Sequence, residues 1–421
     1  DGTPVRPRDV ITSIERLAES TICWHDLERA RFLRDPRRLS ERDVEVLVRP
    51  YPALRSLLDF YVVPGEQYRE IPPRQARLSR WPVGSGRFRA VRGSGRNPLV
   101  LQRNPHHKRP PGTRSGFNEI AFFQLNGVAA AAERLASGQL DLIAGLGPAD
   151  LAQLPEAISK FRVLSLPQHS VAIVAFNQRR NPFKNSDNRR AVARALDSTK
   201  LLGPLAVPAR RGLSGPQLAN GPFPPGMMPA MVNTSPQLNA SLMKQRFANL
   251  KKRTGIGRSL RIKYCFENPL NTRAAEGLAK TLVAMGLDVS AENLSWNRME
   301  EEVCRQGSFD MAIWFLDHRD PLGNLGGLFD SRSTSDTAPE VNYFGFLDQP
   351  FLQLLVDVRN SSIPGELSTT RQRISEFLQD EAVMVPLWTL PEYAILSPKL
   401  ELPPLADGNL PGPWLFQQID E

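Results

Sequence analysis

The sequence predicts a two-lobed α/β protein with a cleft between the lobes. Three observations predict it. Strand-like and helix-like segments alternate along most of the chain. Two separate stretches read as strand–helix–strand units. The length, 421 residues, exceeds what one hydrophobic core supports, so two or three domains are expected.

The elements follow in order. Residues 7–34 read as helical: in RDVITSIERLAE, Val10, Ile14 and Leu17 share a face, with Ala18 beside them. VEVLV is a short strand, followed by a proline break and an amphipathic helix in ALRSLLDF. Residues 82–104 read as a hairpin, with PVGSGRFRAVRG turning into one strand and NPLVLQRN supplying its partner. NEIAFFQL (118–125) alternates as a strand, and VAAAAERLASGQ (128–139) is an alanine-rich helix ended by Gly138. DLIAGLG (141–147) is a buried strand that completes a first βαβ unit. HSVAIVAFN (169–177) is another apolar strand. Asn185 or Ser186 then caps a helix with Val192, Ala195 and Leu196 on one side. Residues 203–240, rich in Pro, Gly and Met, read as a long surface loop. SLRIKYCFE (259–267), TRAAEGLAKTLVAMGL (272–287) and DVSAENLS (288–295) read as a second βαβ unit. MEEEVCRQGS is a helix and FDMAIWFL a strand. Two helices, QPFLQLLVDVRNS and LSTTRQRISEFLQDEA, precede strands in VPLWTL and EYAILSP and a loose tail.

Composition narrows the function classes. With 41% hydrophobic and 23% charged residues the chain is globular rather than disordered. Its 53 Lys and Arg against 44 acids give a formal charge of +9, but the basic residues are scattered. No RNP, zinc-finger or basic-zipper pattern accompanies them, so no direct nucleic-acid binding is expected. Three cysteines are too few and too widely spaced for a disulfide framework; at most one bridge is possible, and Cys265–Cys304 is the favoured pair. No run of about 18 apolar residues is present, and no signal peptide is visible at residue 1.

No catalytic constellation emerges. None of the five histidines stands at a metal-ligand spacing, and His106 and His107 read as a solvated pair. GxSxG and GxxxxGK[ST] are absent, and GSGRF at 84–88 is a hairpin turn rather than a phosphate cradle. No enzyme activity, cofactor or metal is expected. The segment FDMAIWFLDHRDP (309–321) is different, because an apolar strand runs straight into Asp317, His318, Arg319 and Asp320. Ligand groups of α/β proteins lie just beyond the carboxyl ends of strands. A carboxylate there is a fixed acceptor for a cation such as an α-amine, giving orientation and selectivity more than raw affinity. The alternative is that Asp317 pairs with Arg319 or caps the next turn. Trp314, Trp296, Trp388, Phe344 and Phe346 occupy the same region and suit pocket walls, with core packing as the alternative for each.

The motifs, taken in order, resemble those of the family 5 extracellular solute-binding proteins, the periplasmic oligopeptide-, dipeptide- and nickel-binding components of ABC importers. DGTPVRPRDVITSIERL (1–17), PVGSGRFRAV with LVLQRNPHH (99–107), and AAAAERLASGQLDLI (129–143) are similar to family elements. So are VAFNQRRNPFKNSDNRRAVARALD (174–197), LANGPFPPGM, WFLDHRDPLGNLGGLF (314–329), NYFGFLDQPFLQLL (342–355) and VPLW (385–388). The resemblance implies a periplasmic-binding-protein-like fold of class II, cluster C type. Residues 1–75 would be a remnant of the small extra subdomain, 76–175 and 396–421 lobe I, and 176–395 lobe II. DGTP is internal in the family, so lobe I is expected to lack its first strands.

The resemblance also implies a function. A monomer would bind a small peptide or peptide-like solute by lobe closure and deliver it to an ABC permease in the membrane. It would be periplasmic or extracellular, with or without a lipid anchor. Asp317 would receive the α-amine, with His318 beside it and Trp314 as a wall. Asn177 would be a hinge or backbone-positioning group, and Phe344 and Trp388 pocket walls. The sequence departs from the family pattern at His318, Met311, Leu352, His107 and Lys108, which leaves the ligand class open. Two other expectations stand beside this one: the ligand-sensing domain of a longer transcriptional regulator, or a binding fold retired to protein–protein interaction.

Overall fold

The computed structural model describes residues 2–19, 32–48, 57–58, 60–69, 83–91, 98–107, 117–125, 127–154, 160–166, 170–198, 201, 213, 215–224, 245, 248, 259–265, 269–317, 325, 329, 342–360 and 364–400. In chain order they form α1 (Pro7–Glu19), β1 (Leu33–Arg38), β2 (Val44–Val48), α2 (Gly65–Tyr68), β3 (Phe88–Ala90), β4 (Leu99–Arg103), β5 (Glu119–Phe122), α3 (Val128–Ala136), β6 (Leu142–Leu146), α4 (Pro148–Ala152) and β7 (Arg162–Leu166). Then come β8 (Ser170–Phe176), α5 (Ser186–Ala195), β9 (Gln217–Leu218), β10 (Leu260–Cys265), α6 (Pro269–Ala284), β11 (Val289–Leu294), α7 (Trp296–Met299) and a π-helix (Glu300–Arg305). The last elements are β12 (Met311–Asp317), α8 (Gln349–Asn360), α9 (Pro364–Asp380), β13 (Met384–Thr389) and β14 (Glu392–Leu396).

The chain divides into two compact units. One comprises Asp1–Ala144, Gln153–Pro167 and Ala394–Glu421, the other Gly145–Ala152 and Gln168–Tyr393. In the first, α1 buries Ile14 and Leu17. Ser13 Oγ, which donates to Asp9 O at 2.6 Å, accepts the Val63 amide at 2.9 Å, and Asp9 Oδ1 accepts the Gly65 amide at 2.8 Å. β1 and β2 form an antiparallel hairpin. This corrects the helix expected through residue 34: the ladder is irregular between Arg34 and Arg37, Asp35 has φ +49°, and Pro36 cannot donate to a ladder. β3, β4 and β5 make an antiparallel meander that includes the expected hairpin. β6 and β7 flank β14 in a separate sheet. The first expected βαβ unit is therefore not one: β5 and β6 belong to different sheets, because each finds its partners elsewhere in the chain. α3 ends as expected, with Gly138 at φ +75°, in the left-handed region that glycine enters without strain.

The second unit is built on one six-stranded sheet in the order β11-β10-β12-β8-β13-β9. β10, β11 and β12 run parallel, and α6 joins β10 to β11, so the second βαβ unit is present as read. β8 pairs antiparallel with both β12 and β13 and is buried on both faces, as its apolar run SVAIVAF requires. Those ladders place β8 in this unit, which takes in Gln168–Tyr393. One sheet face carries the main core: Ala172, Val174, Phe176, Ile262, Tyr264, Met311, Ile313 and Leu387 pack against α5 and α6. Asn185 caps α5 by accepting the Asp187 amide at 2.8 Å. Cys265 and Cys304 are both buried as thiols and are not bonded to each other; Cys23 lies outside the described residues, as do most of 203–240 and ALRSLLDF. Among the described residues no helix is long and apolar enough to cross a membrane.

Candidate binding site on the central sheet

β12 alternates from Met311 to Leu316. Met311, Ile313 and Phe315 belong with the main core, while Ala312, Trp314 and Leu316 face the opposite side. On that second side the indole of Trp314 stacks on Trp296, with centroids 5.4 Å apart and planes 29° apart. Tyr343 leans against Trp314 at 5.7 Å. Trp314 is only 8% exposed, whereas Trp296 is 49% exposed. The group therefore offers a half-exposed indole backed by a buried one. A π-face held this rigidly suits apolar or planar groups and costs little entropy on contact.

Three residues after β8 hold the pieces in place. Asn177 Nδ2 donates to the Gly307 and Phe309 carbonyls, both at 3.0 Å, and its Oδ1 accepts the Arg179 amide at 3.2 Å. Gln178 donates its backbone amide to Phe344 O at 2.8 Å and its side chain to Val383 O at 3.1 Å. Arg179 forks onto the carbonyls of Asn342 and Tyr343, both at 2.7 Å. The turn at 342–346 is further set by Asn342, at φ +53°, whose side chain donates to Phe346 O at 3.0 Å and accepts Phe346 N at 3.1 Å. The segment FNQR thus fixes both the entry to β12 and the loop that brings Tyr343 to Trp314.

A charged network lies on the same sheet face. Lys263 on β10 is in register with Ala312 of β12, so it shares the side of Trp314. It is 2% exposed. Its ammonium bonds the Glu302 carboxylate on the π-helix, and Glu292 of β11 lies 3.7 Å away. Arg298 donates to Glu302 through Nε at 3.0 Å and Nη2 at 2.5 Å. The Lys263 hydrogen bond, helped by Arg298, holds the Glu302 carboxyl below the usual carboxylate range, although burial works the other way.

The residues expected to bind ligand are placed as follows. Asp317 closes β12, its backbone opposite Ser170. His318 lies outside the described residues. Trp314 stands in the aromatic group. Asn177 is 1% exposed and its side chain is committed to backbone. Phe344 and Trp388 have no exposed surface, and Trp388 belongs to the main core. Both side chains are thus packed inside the protein, while Tyr343 and Trp296 are the aromatic neighbours of Trp314. Tyr343, Lys263 and Glu302 were not anticipated. A lysine inside the apolar run LRIKYC was the available signal for Lys263. Among the described residues no cluster of three or more His, Cys, Asp or Glu is arranged to hold a metal ion.

Residues 1–336 match the model of the bacterial extracellular solute-binding proteins, family 5 middle. The chain belongs to this family. A curated relative, the probable D,D-dipeptide-binding periplasmic protein DdpA of Escherichia coli (strain K12), is 27% identical over 256 residues, 60% of this chain and 47% of that protein. The chain spans about half the length of this curated relative. Solved family structures share the fold. The oligopeptide-binding protein AppA from Bacillus subtilis, in complex with a nonapeptide, has a TM-score of 0.76 at 15% identity, covering 95% of this chain and 80% of that one. NikZ from Campylobacter jejuni, in complex with Ni(L-His), has a TM-score of 0.75 at 16% identity, covering 94% and 80%. The two-lobed family 5 fold of mixed α/β content is thereby established, as the motif series implied.

Proposed function

We propose that this family 5 protein binds a small peptide or peptide-like amine outside the cytoplasm and delivers it to an ABC permease. Asp317 is the acceptor of the α-amine, and Trp314 with Trp296 forms the wall for an adjoining side chain. The observation that carries the reading is the layout of β12: a buried central strand bears Trp314 in a stacked aromatic group and ends three residues later in Asp317. The named ligands of the three relatives, a D,D-dipeptide, a nonapeptide and Ni(L-His), all contain amino-acid units, which supports an amine-reading site.

The test compares short peptides with free and acetylated amino termini by calorimetry. Acetylation removes the cation and leaves the carboxylate unpaired. Losing one partner of a desolvated charge pair costs about 2–5 kcal/mol, so affinity should fall at least roughly thirtyfold. Equal binding of free and acetylated peptides would remove Asp317 from its role.

A further inference from the structure

We propose that Lys263 is a positioning residue: through Glu302 and Arg298 it holds the short helix that carries Trp296, and so keeps the two indoles stacked. What this says about ligand binding rests on the reading of that sheet face as the ligand site; what it says about the indoles does not.

The case begins with β10. Leu260, Ile262 and Tyr264 enter the main core, and Lys263 points to the other face at 2% exposure. An ammonium that is this buried is costly unless it is paired. Its partner, Glu302, comes from the segment immediately following α7. The same carboxylate takes Arg298 from α7 itself, so one acid ties an inner cation to an outer one. α7 has four residues, too few to be stable alone. Met299 and Val303, both fully buried, anchor it from below. The turn then widens, with Gln306 N donating to Glu301 O at 3.0 Å five residues back. Such π-turns recur at functional sites. Trp296 is the first residue of α7, and its indole stacks on that of Trp314. The Lys263–Glu302–Arg298 chain supplies a fixed rotation for the helix, which apolar contacts alone leave adjustable.

A purely structural ion pair would lower stability without moving the indoles. The stack provides a direct readout, because two indoles at 5.4 Å couple their transitions and give a paired band in circular dichroism. Trp296→Phe in the full chain identifies that band. Lys263→Met keeps length and burial and removes the charge; Glu302→Gln is the milder variant should Lys263→Met fail to fold. Arg189→Met, which weakens the same unit at a distant buried site, is the control for lost stability. The expected result is a band reduced by more than half in Lys263→Met and Glu302→Gln and intact in Arg189→Met. Peptide affinity should fall about tenfold in the first two, equivalent to about 1.4 kcal/mol. An undiminished band in folded Lys263→Met, or in Glu302→Gln if only that variant folds, overturns the proposal. If the unmodified protein binds no peptide, the peptide reading fails, and the band alone still decides the positioning role.

Discussion

The side chain of Arg179 occupies the space a Cβ on Gly345 would need, and its guanidinium is fixed by the Asn342 and Tyr343 carbonyls. Gly345 also has φ +68°, a region that disfavours side chains. Gly345→Ala therefore carries both backbone strain and a clash with an immobile neighbour. It should destabilise the protein by about 2 kcal/mol, measured by urea unfolding. In the Arg179→Ala background the clash is gone and the added cost should shrink to about 1 kcal/mol, the strain alone. Equal costs in both backgrounds would mean that Arg179 does not press on this turn.

Arg189 is 3% exposed and donates to the carbonyls of Phe183 at 2.9 Å, Glu381 at 2.9 Å and Ala382 at 3.1 Å, with the Glu381 carboxylate 3.8 Å away. Burial lowers its pKa to about 10, opposed by Glu381, so it remains charged at neutral pH. It ties α5 to the turn before β13. Arg189→Met leaves several carbonyls without a donor and should cost about 3 kcal/mol in denaturant unfolding. A loss below about 1 kcal/mol would show that the neighbouring Arg190, bonded to Asp380 O and Glu381, takes over the junction.

Glu302 gives a pH signature with a definite sign. Lys263 and Arg298 hold its folded pKa below the unfolded value of about 4.3, with Glu292 also near Lys263. Its contribution to stability is then complete above the unfolded pKa and is lost as pH falls through the folded pKa. The stability gap between the parent protein and Glu302→Gln should be constant near pH 6–7 and close in acid. A gap that widens toward pH 3 would contradict the pairing.

Much of the fold was legible because it is local. The apolar runs in LRIKYC and MAIWFL, the helix between β10 and β11, and the cap at Asn185 are short-range patterns that periodicity and capping chemistry report. What was not legible depends on distant partners. Nothing local in NEIAFFQL and DLIAGLG tells that their strands enter different sheets. LRDPRR lacks the apolar alternation of a strand and is held by its pairing with VEVLV. The proposed site was half visible. Asp317 and Trp314 stood out as a strand end and an aromatic, but choosing among the aromatics required the tertiary structure. It put Trp388 and Phe344 inside the protein and brought Tyr343, 29 residues along, against Trp314.

The central claim is that Asp317 anchors an amine-bearing solute. Thermal unfolding of this chain and of Asp317→Ala, each against pooled short peptides, tests it most directly. A ligand at a hundred times its dissociation constant adds roughly 2.7 kcal/mol to stability. The account predicts stabilisation of that order for the parent chain by at least one pool, and its loss in a folded Asp317→Ala variant. Equal stabilisation of both chains, or none by any pool with both folded, would contradict it.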